Sequence, residues 1–223
     1  MRVILYGATG MVGQGVLREC LMDSGVEQVL AVGRSALMPD TPPHMKLKEL
    51  VLPDLSTYAG HEGELAGYDA CFFCLGISAA GMTEADYTKV TYGFTLAAAE
   101  TLVKLNPGMT FIYVSGAGTD GTEGGRIMWA RVKGKTENAL LRLAFKAVYL
   151  FRPAGIRPLH GITSRTRAYR IGYALAWPLL PLLARFPSFM TTTERIGRAM
   201  LRAARVGAPK SVLESRDINE LGA

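Results

Sequence analysis

The sequence predicts an α/β fold built on a parallel sheet with helices on both faces. Three observations predict it. The chain opens on a short apolar run, a glycine turn and a helical stretch; similar apolar runs recur, mostly separated by helical patterns; and the runs end in glycine, proline or polar residues. Strands separated by helices call for right-handed βαβ crossovers, and ligands of such sheets bind beyond the carboxyl ends of the strands.

The first unit is the most informative. Val3, Ile4, Leu5 and Tyr6 form a buried-strand run, Gly7, Gly10 and Gly13 follow at three-residue spacing, and Met11 to Met22 reads as a helix. Strand, tight turn and helix present a helix N-terminus whose N–H groups lack intrahelical partners and whose dipole favours negative charge. One glycine makes the turn, one lets the backbone approach a pyrophosphate, and one lets helix and strand pack closely. The spacing is G-x-x-G-x-x-G, which departs from the common G-x-G-x-x-G, and its place after the first strand is what points to a dinucleotide.

Val29 to Val32 is the second strand, ending at Gly33-Arg34-Ser35. That end meets the adenosine ribose of a dinucleotide, where an acid would accept from a 2′-OH and an arginine accommodates a 2′-phosphate. Arg34 stands there without an acid, so NADP(H) is favoured over NAD(H). Leu47 to Leu52 is a third strand, followed by Pro53-Asp54-Leu55; Asp54 either accepts from the adenine amino group or starts the next turn. Ala70 to Leu75 before Gly76 is a continuous apolar run and reads as a central strand. Thr83 to Leu105 reads as one long helix stopped by Asn106-Pro107-Gly108. Thr110 to Val114 is the next strand, ending at Ser115, and a glycine-rich loop leads into a helix from Arg126 to Phe145. Ala147 to Phe151 is another strand, followed by Arg152-Pro153. Thr191 with Glu194 forms a capping-box start for a helix to about Arg205, and Lys210 to Glu214 is a final edge strand.

Composition narrows the function classes. The chain has 223 residues, 49% hydrophobic and 20% charged, enough for a substantial core and too apolar for a disordered chain. The first strand starts almost at Met1, which predicts no signal or transit peptide, and three cysteines make no disulfide framework; a cytoplasmic protein is expected. Cys71 and Cys74 form a C-x-x-C, but on a strand they point to opposite faces, and three scattered histidines give no metal site. The net charge of +6 conceals an asymmetry: residues 1–125 hold 7 Lys/Arg and 14 Asp/Glu, residues 126–223 hold 18 and 5. The basic half is either a solvated face or an attractor of phosphates, acidic substrates or an anionic membrane. Nucleic acid is not expected, for lack of a reading helix or a stacking platform. Ile171 to Ala184 carries no charge but has Pro178 and Pro181, and is too short and broken to span a bilayer. It reads as part of a substrate lid, a subunit contact or an interfacial anchor.

The glycine triplet, Asp54-Leu55, Ser115, Lys133-Gly134-Lys135-Thr136-Glu137 and Arg152-Pro153 together resemble the short-chain dehydrogenase/reductase superfamily, in its atypical, NmrA-like and Tat-interacting-protein-like branch. The resemblance covers nearly the whole chain and is weaker after Gly161. It implies a Rossmann-type doubly wound sheet of order 3-2-1-4-5-6-7, one NAD(P)-binding domain over residues 1–223, a small lobe segment at 156–193 over the nicotinamide, and a homodimer as an ordinary expectation. It implies dinucleotide contacts at Gly7, Thr9, Gly10, Met11, Val12 and Gly13, at Arg34 and Ser35, at Asp54 and Leu55, at Leu75 and Gly76, and at Lys133, Pro153 and Ile156.

In that superfamily a Tyr-x-x-x-Lys pair passes the proton: Lys holds the nicotinamide ribose and lowers the Tyr pKa, and an upstream Ser polarises the substrate oxygen. The matching pentapeptide here is Trp129-Ala130-Arg131-Val132-Lys133, with Trp129 at the Tyr position, and the serine pair is reduced to Ser115 followed by Gly116. An indole N–H donates a hydrogen bond but is no acid or base near neutral pH. The expectation is an NADP(H)-binding protein, weakly active or non-catalytic, responding to its cofactor and docking a small molecule or protein partner. The alternative is an active NADPH-dependent oxidoreductase on a small carbonyl, with Ser115, another Tyr or water supplying the proton.

Overall fold

A computed structural model describes residues 1–37, 41, 43–162 and 189–223. Its strands are β1 Arg2–Tyr6, β2 Gln28–Gly33, β3 Leu47–Val51, β4 Ala70–Phe73, β5 Thr110–Val114, β6 Ala147–Arg152, β7 Gly155–Arg157, β8 Met190–Thr192 and β9 Val212–Glu214. Seven of them form one sheet in the order β3-β2-β1-β4-β5-β6-β9, with every pairing parallel. The chain's last strand takes the seventh place, and β7 and β8 pair separately as a small parallel ribbon. The helices are α1 Met11–Met22, α2 Glu62–Leu65, α3 Glu84–Thr88, α4 Phe94–Leu105, α5 Met128–Leu141, α6 Thr193–Val206 and α7 Ser215–Leu221.

A parallel sheet covered on both faces needs strands that are apolar on both, and these are. Val3 and Leu5 of β1, Ala70 and Phe72 of β4 and Ile112 of β5 enter one core with residues of α1, α6 and α7. Ile4 and Tyr6, Cys71 and Phe73, and Phe111 and Tyr113 enter the other with residues of α4 and α5. The second core is aromatic: Tyr6 stacks on Phe73 at 4.9 Å, and Phe73 lies 6.0 Å from Phe111. Cys71 faces this core while Cys74 packs against the first, as the period-two geometry of a strand requires.

Several boundaries differ from the sequence pattern. The helix expected from Thr83 to Leu105 is α3, a five-residue π turn over Lys89–Gly93, and α4. The Thr95 hydroxyl donates back to the Thr91 carbonyl at 2.6 Å, and Gly93 lies in the wide turn; both weaken a regular helix there. The helix expected from Arg126 to Phe145 runs only from Met128 to Leu141, because Phe145 leaves it to pack 5.0 Å from Phe111. The cap of α6 is Thr192, the last residue of β8, whose hydroxyl accepts from Arg195 N, and not Thr191, which lies one residue further from the helix. Among the described residues no helix connects β2 to β3. Of the 156–193 segment, residues 156–162 and 189–193 are described; Ile171–Ala184, with its prolines, lies outside the described residues.

Candidate functional site

The carboxyl ends of β1, β4, β5 and β6 surround a cleft of about 930 Å³, within the range that holds a cofactor. At its floor, Gly7, Gly10 and Gly13 shape the turn between β1 and α1. Gly7 has φ +78°, and a Cβ there would lie 2.6 Å from Leu75 N. A Cβ on Gly13 would lie 2.0 Å from the Gly7 carbonyl oxygen, so α1 seats on the turn only without a side chain there. Gly10 N–H donates to Gly7 O at 2.9 Å and closes the turn. The N-cap of α1 is Gly10, with no side-chain cap and no acid in the first turn, and Gly10, Met11 and Val12 line the cleft. Unpaired N–H groups, an unopposed dipole and a bare backbone form an anion cradle, and this donor set fits a dinucleotide pyrophosphate.

At one end the cleft meets a smaller hollow of about 110 Å³ lined by Thr9, Arg34, Ser35, Glu49 and Leu75 among others. Arg34 is exposed and lines both spaces. Glu49, on β3, is an acid that attention to the end of β2 alone overlooks; one of its oxygens accepts from Leu37 N at 2.8 Å.

At the other end stand Ser115, Trp129, Lys133, Pro153 and Ile156. Trp129 and Lys133 lie four apart on α5 and face the same space, as one helical turn dictates. Lys133 Nζ donates to the Ser115 carbonyl at 2.8 Å, and burial pulls its pKa down to about 8 against the opposing pull of Glu137. The Ser115 hydroxyl donates to Glu137 Oε1 at 2.5 Å. Glu137 is 1% exposed, and Arg152 grips both its oxygens, Nε to Oε1 at 3.0 Å and Nη2 to Oε2. The paired carboxylate raises the Arg152 pKa. This buried Ser–Glu–Arg chain is a part of the site that motif spacing did not single out, although Glu137 one turn after Lys133 hinted at it. Tyr87, on α3, also reaches the cleft.

Three other candidates sit apart from both spaces. Gly13 lies beneath the turn. Leu55 is 1% exposed in the aromatic core. Asp54 accepts from Ser56 N at 2.9 Å and Ser56 Oγ at 2.8 Å, which holds its carboxyl below the usual range. Thr9, Met11, Val12, Ser35, Leu75, Gly76, Pro153 and Ile156 all border the cleft or the hollow.

No family model matches the chain. Protein FMP52, mitochondrial, of Kluyveromyces lactis is 28% identical over 160 residues, 70% of this chain and 67% of its own length. Protein HTATIP2 of Rattus norvegicus is 26% identical over 151 residues, 68% of this chain and 61% of its own. The chain resembles the atypical short-chain dehydrogenases/reductases of the Tat-interacting-protein-like branch, as these relatives show. Its alignments span less than two thirds to about two thirds of these two relatives. The solved structure of Bordetella bronchiseptica WbmF in complex with NAD+ shares the fold, with TM-score 0.66 and 16% identity over 98% of this chain and 76% of that one. That shared fold accounts for the site's layout, with the glycine turn on β1 and the lysine on the helix after β5 both bordering the cleft. No helix among the described residues is long and apolar enough to cross a membrane.

Proposed function

We propose that this chain binds NADP(H) along the cleft and turns over simple carbonyls slowly or not at all, acting as a cofactor-responsive binding or regulatory protein. The observation that carries the reading is a single cleft with Arg34 at one end, the uncapped start of α1 in the middle, and Trp129 beside Lys133 at the other. Arg34 would take the 2′-phosphate and Lys133 the nicotinamide ribose; the cofactor would supply hydride chemistry when bound. Trp129, in the place the family gives to tyrosine, puts an indole and not a phenol one helical turn before Lys133, and the Tyr113 ring, 5.8 Å from Lys133 Nζ, is buried in the aromatic core. Loss of one general acid costs about 10²–10⁴ in rate.

Calorimetric titration tests the cofactor choice. NADPH should bind at least tenfold more tightly than NADH, and Arg34→Ala should remove that difference while leaving NADH affinity unchanged. Equal affinities in the wild type would refute the role given to Arg34 and shift weight to Glu49 as a ribose acceptor. The second reading, an active NADPH-dependent oxidoreductase, is favoured by Tyr87, a phenol that borders the same cleft. Cysteine usage supports a cytoplasmic place for the chain, whereas FMP52 is named mitochondrial; fractionation of cells expressing the full protein decides between them.

A further inference from the structure

We propose that the apolar end of the cleft takes a planar conjugated dione of the quinone class, stacked on Trp129; the proposal rests on the cofactor reading above and names the acceptor that such a site suits. The first support is the fate of the proton donors. The Ser115 hydroxyl hydrogen points to Glu137, inside the buried pair with Arg152, and is not offered to the cleft. The Trp129 indole is no acid, and the Lys133 ammonium donates to the Ser115 carbonyl at 2.8 Å. Tyr87 borders the cleft but is only 1% exposed.

The second support is the wall. Trp129, half-buried on the first turn of α5, shares this end with Ile77, Ala79, Ala80, Met128 and Ile156. The Cη2 corner of its ring packs beside Gly118, where an added Cβ would lie 3.6 Å away. Among the described residues no Asp or Glu lines the cleft, and Lys133 is the cation at this end. An aromatic ring, aliphatic neighbours and one positive charge suit a flat, uncharged ring that becomes an anion on reduction.

The third support is the chemistry of the acceptor. Reducing an isolated ketone makes an alkoxide, close in basicity to hydroxide (water pKa about 15.7), which needs a proton as it forms. Reducing a quinone makes a hydroquinone monoanion, phenol-like with a pKa of about 10. The dione gains two electrons and one proton as hydride from the reduced nicotinamide, which is left oxidised. The monoanion stays beside Lys133 and takes its second proton from solvent, so no side-chain acid is consumed.

The test uses the full chain and menadione as the probe. In protein loaded with NADP+, where no turnover occurs, menadione should quench tryptophan emission saturably. Trp129→Phe should lower that quenching and should keep menadione affinity by equilibrium dialysis. Trp129→Leu should weaken that affinity by roughly 2- to 10-fold, the worth of one aromatic contact. With NADPH, kcat/KM for menadione should exceed that for cyclohexanone by at least about 100-fold. NADPH binding without menadione binding or consumption overturns the proposal and leaves the cofactor reading standing. Failure of NADPH to bind overturns both. Cyclohexanone reduced as fast as menadione, with the activity lost in Tyr87→Phe, overturns the proposal in favour of a working phenol.

Discussion

Replacing Arg152 with methionine should destabilise the protein by about 3–5 kcal/mol at pH 7, the cost of stranding a buried charge. The magnitude follows from Glu137, which is 1% exposed and holds both carboxylate oxygens against Arg152. Ser115 Oγ remains as a hydrogen-bond donor, but one neutral hydroxyl does not compensate a buried negative charge. For a chain of this length, each kcal/mol lowers Tm by about 2–4 °C, so a fall of roughly 6–20 °C is expected. The pH dependence identifies the cause. Protonating the stranded carboxylate relieves the penalty in the folded state, so the folded variant binds the extra proton and its deficit shrinks as pH falls from 7 towards 4. Arg152→Met combined with Glu137→Gln should recover most of the loss, because the charge is gone as well as its partner. Denaturant unfolding of the two single variants and the double variant at pH 7 and pH 4.5 measures all of this. A loss below 1 kcal/mol, or one that is the same at both pH values, would refute the buried-pair argument.

Two further outcomes follow from the site. Gly13→Ala forces a Cβ to within 2.0 Å of the Gly7 carbonyl, and neither backbone can yield; it should cost about 1–3 kcal/mol or more and abolish NADPH binding by calorimetry. A variant of wild-type affinity would mean that the turn and α1 are not packed as described. Lys133 has its pKa lowered from 10.5 to about 8, so between those values the unfolded state binds more protons and wild-type stability rises with pH. Relative to Lys133→Met, the wild type should gain stability from pH 8 to pH 10.5; a constant difference in Tm across that window contradicts the burial of the ammonium.

Much of this was legible in the sequence, for identifiable physical reasons. Gly7 and Gly13 carry local constraints, a positive φ and a contact too close for a Cβ, so a three-residue spacing after a strand is enough to place them. The strands β1, β4 and β5 are buried on both faces and therefore appear as continuous apolar runs. Trp129 and Lys133 could be placed together because helical spacing fixes the face they share. What escaped depends on contacts between distant segments. Glu49 comes to the Arg34 hollow through the β2–β3 register, which pairs it with Ala31, and no local pattern records that. The link from Ser115 to Glu137 and Arg152 joins three elements, and it turns the serine hydroxyl away from the role that motif resemblance implies. Capping letters alone could not separate Thr191 from Thr192; the start of α6 at Thr193, which brings Arg195 N–H to the Thr192 hydroxyl, decides it.

The central proposal is that the chain keeps the means to bind its cofactor and lacks the phenol that the family places one helical turn before Lys133. The most direct measurement is NADPH oxidation under saturating cofactor with a panel of simple ketones and aldehydes, comparing the wild type with Trp129→Tyr. The account predicts equal NADPH affinity in the two proteins, turnover near background in the wild type, and a gain of about 10²-fold or more in the tyrosine variant. Wild-type turnover equal to that of the variant would contradict it.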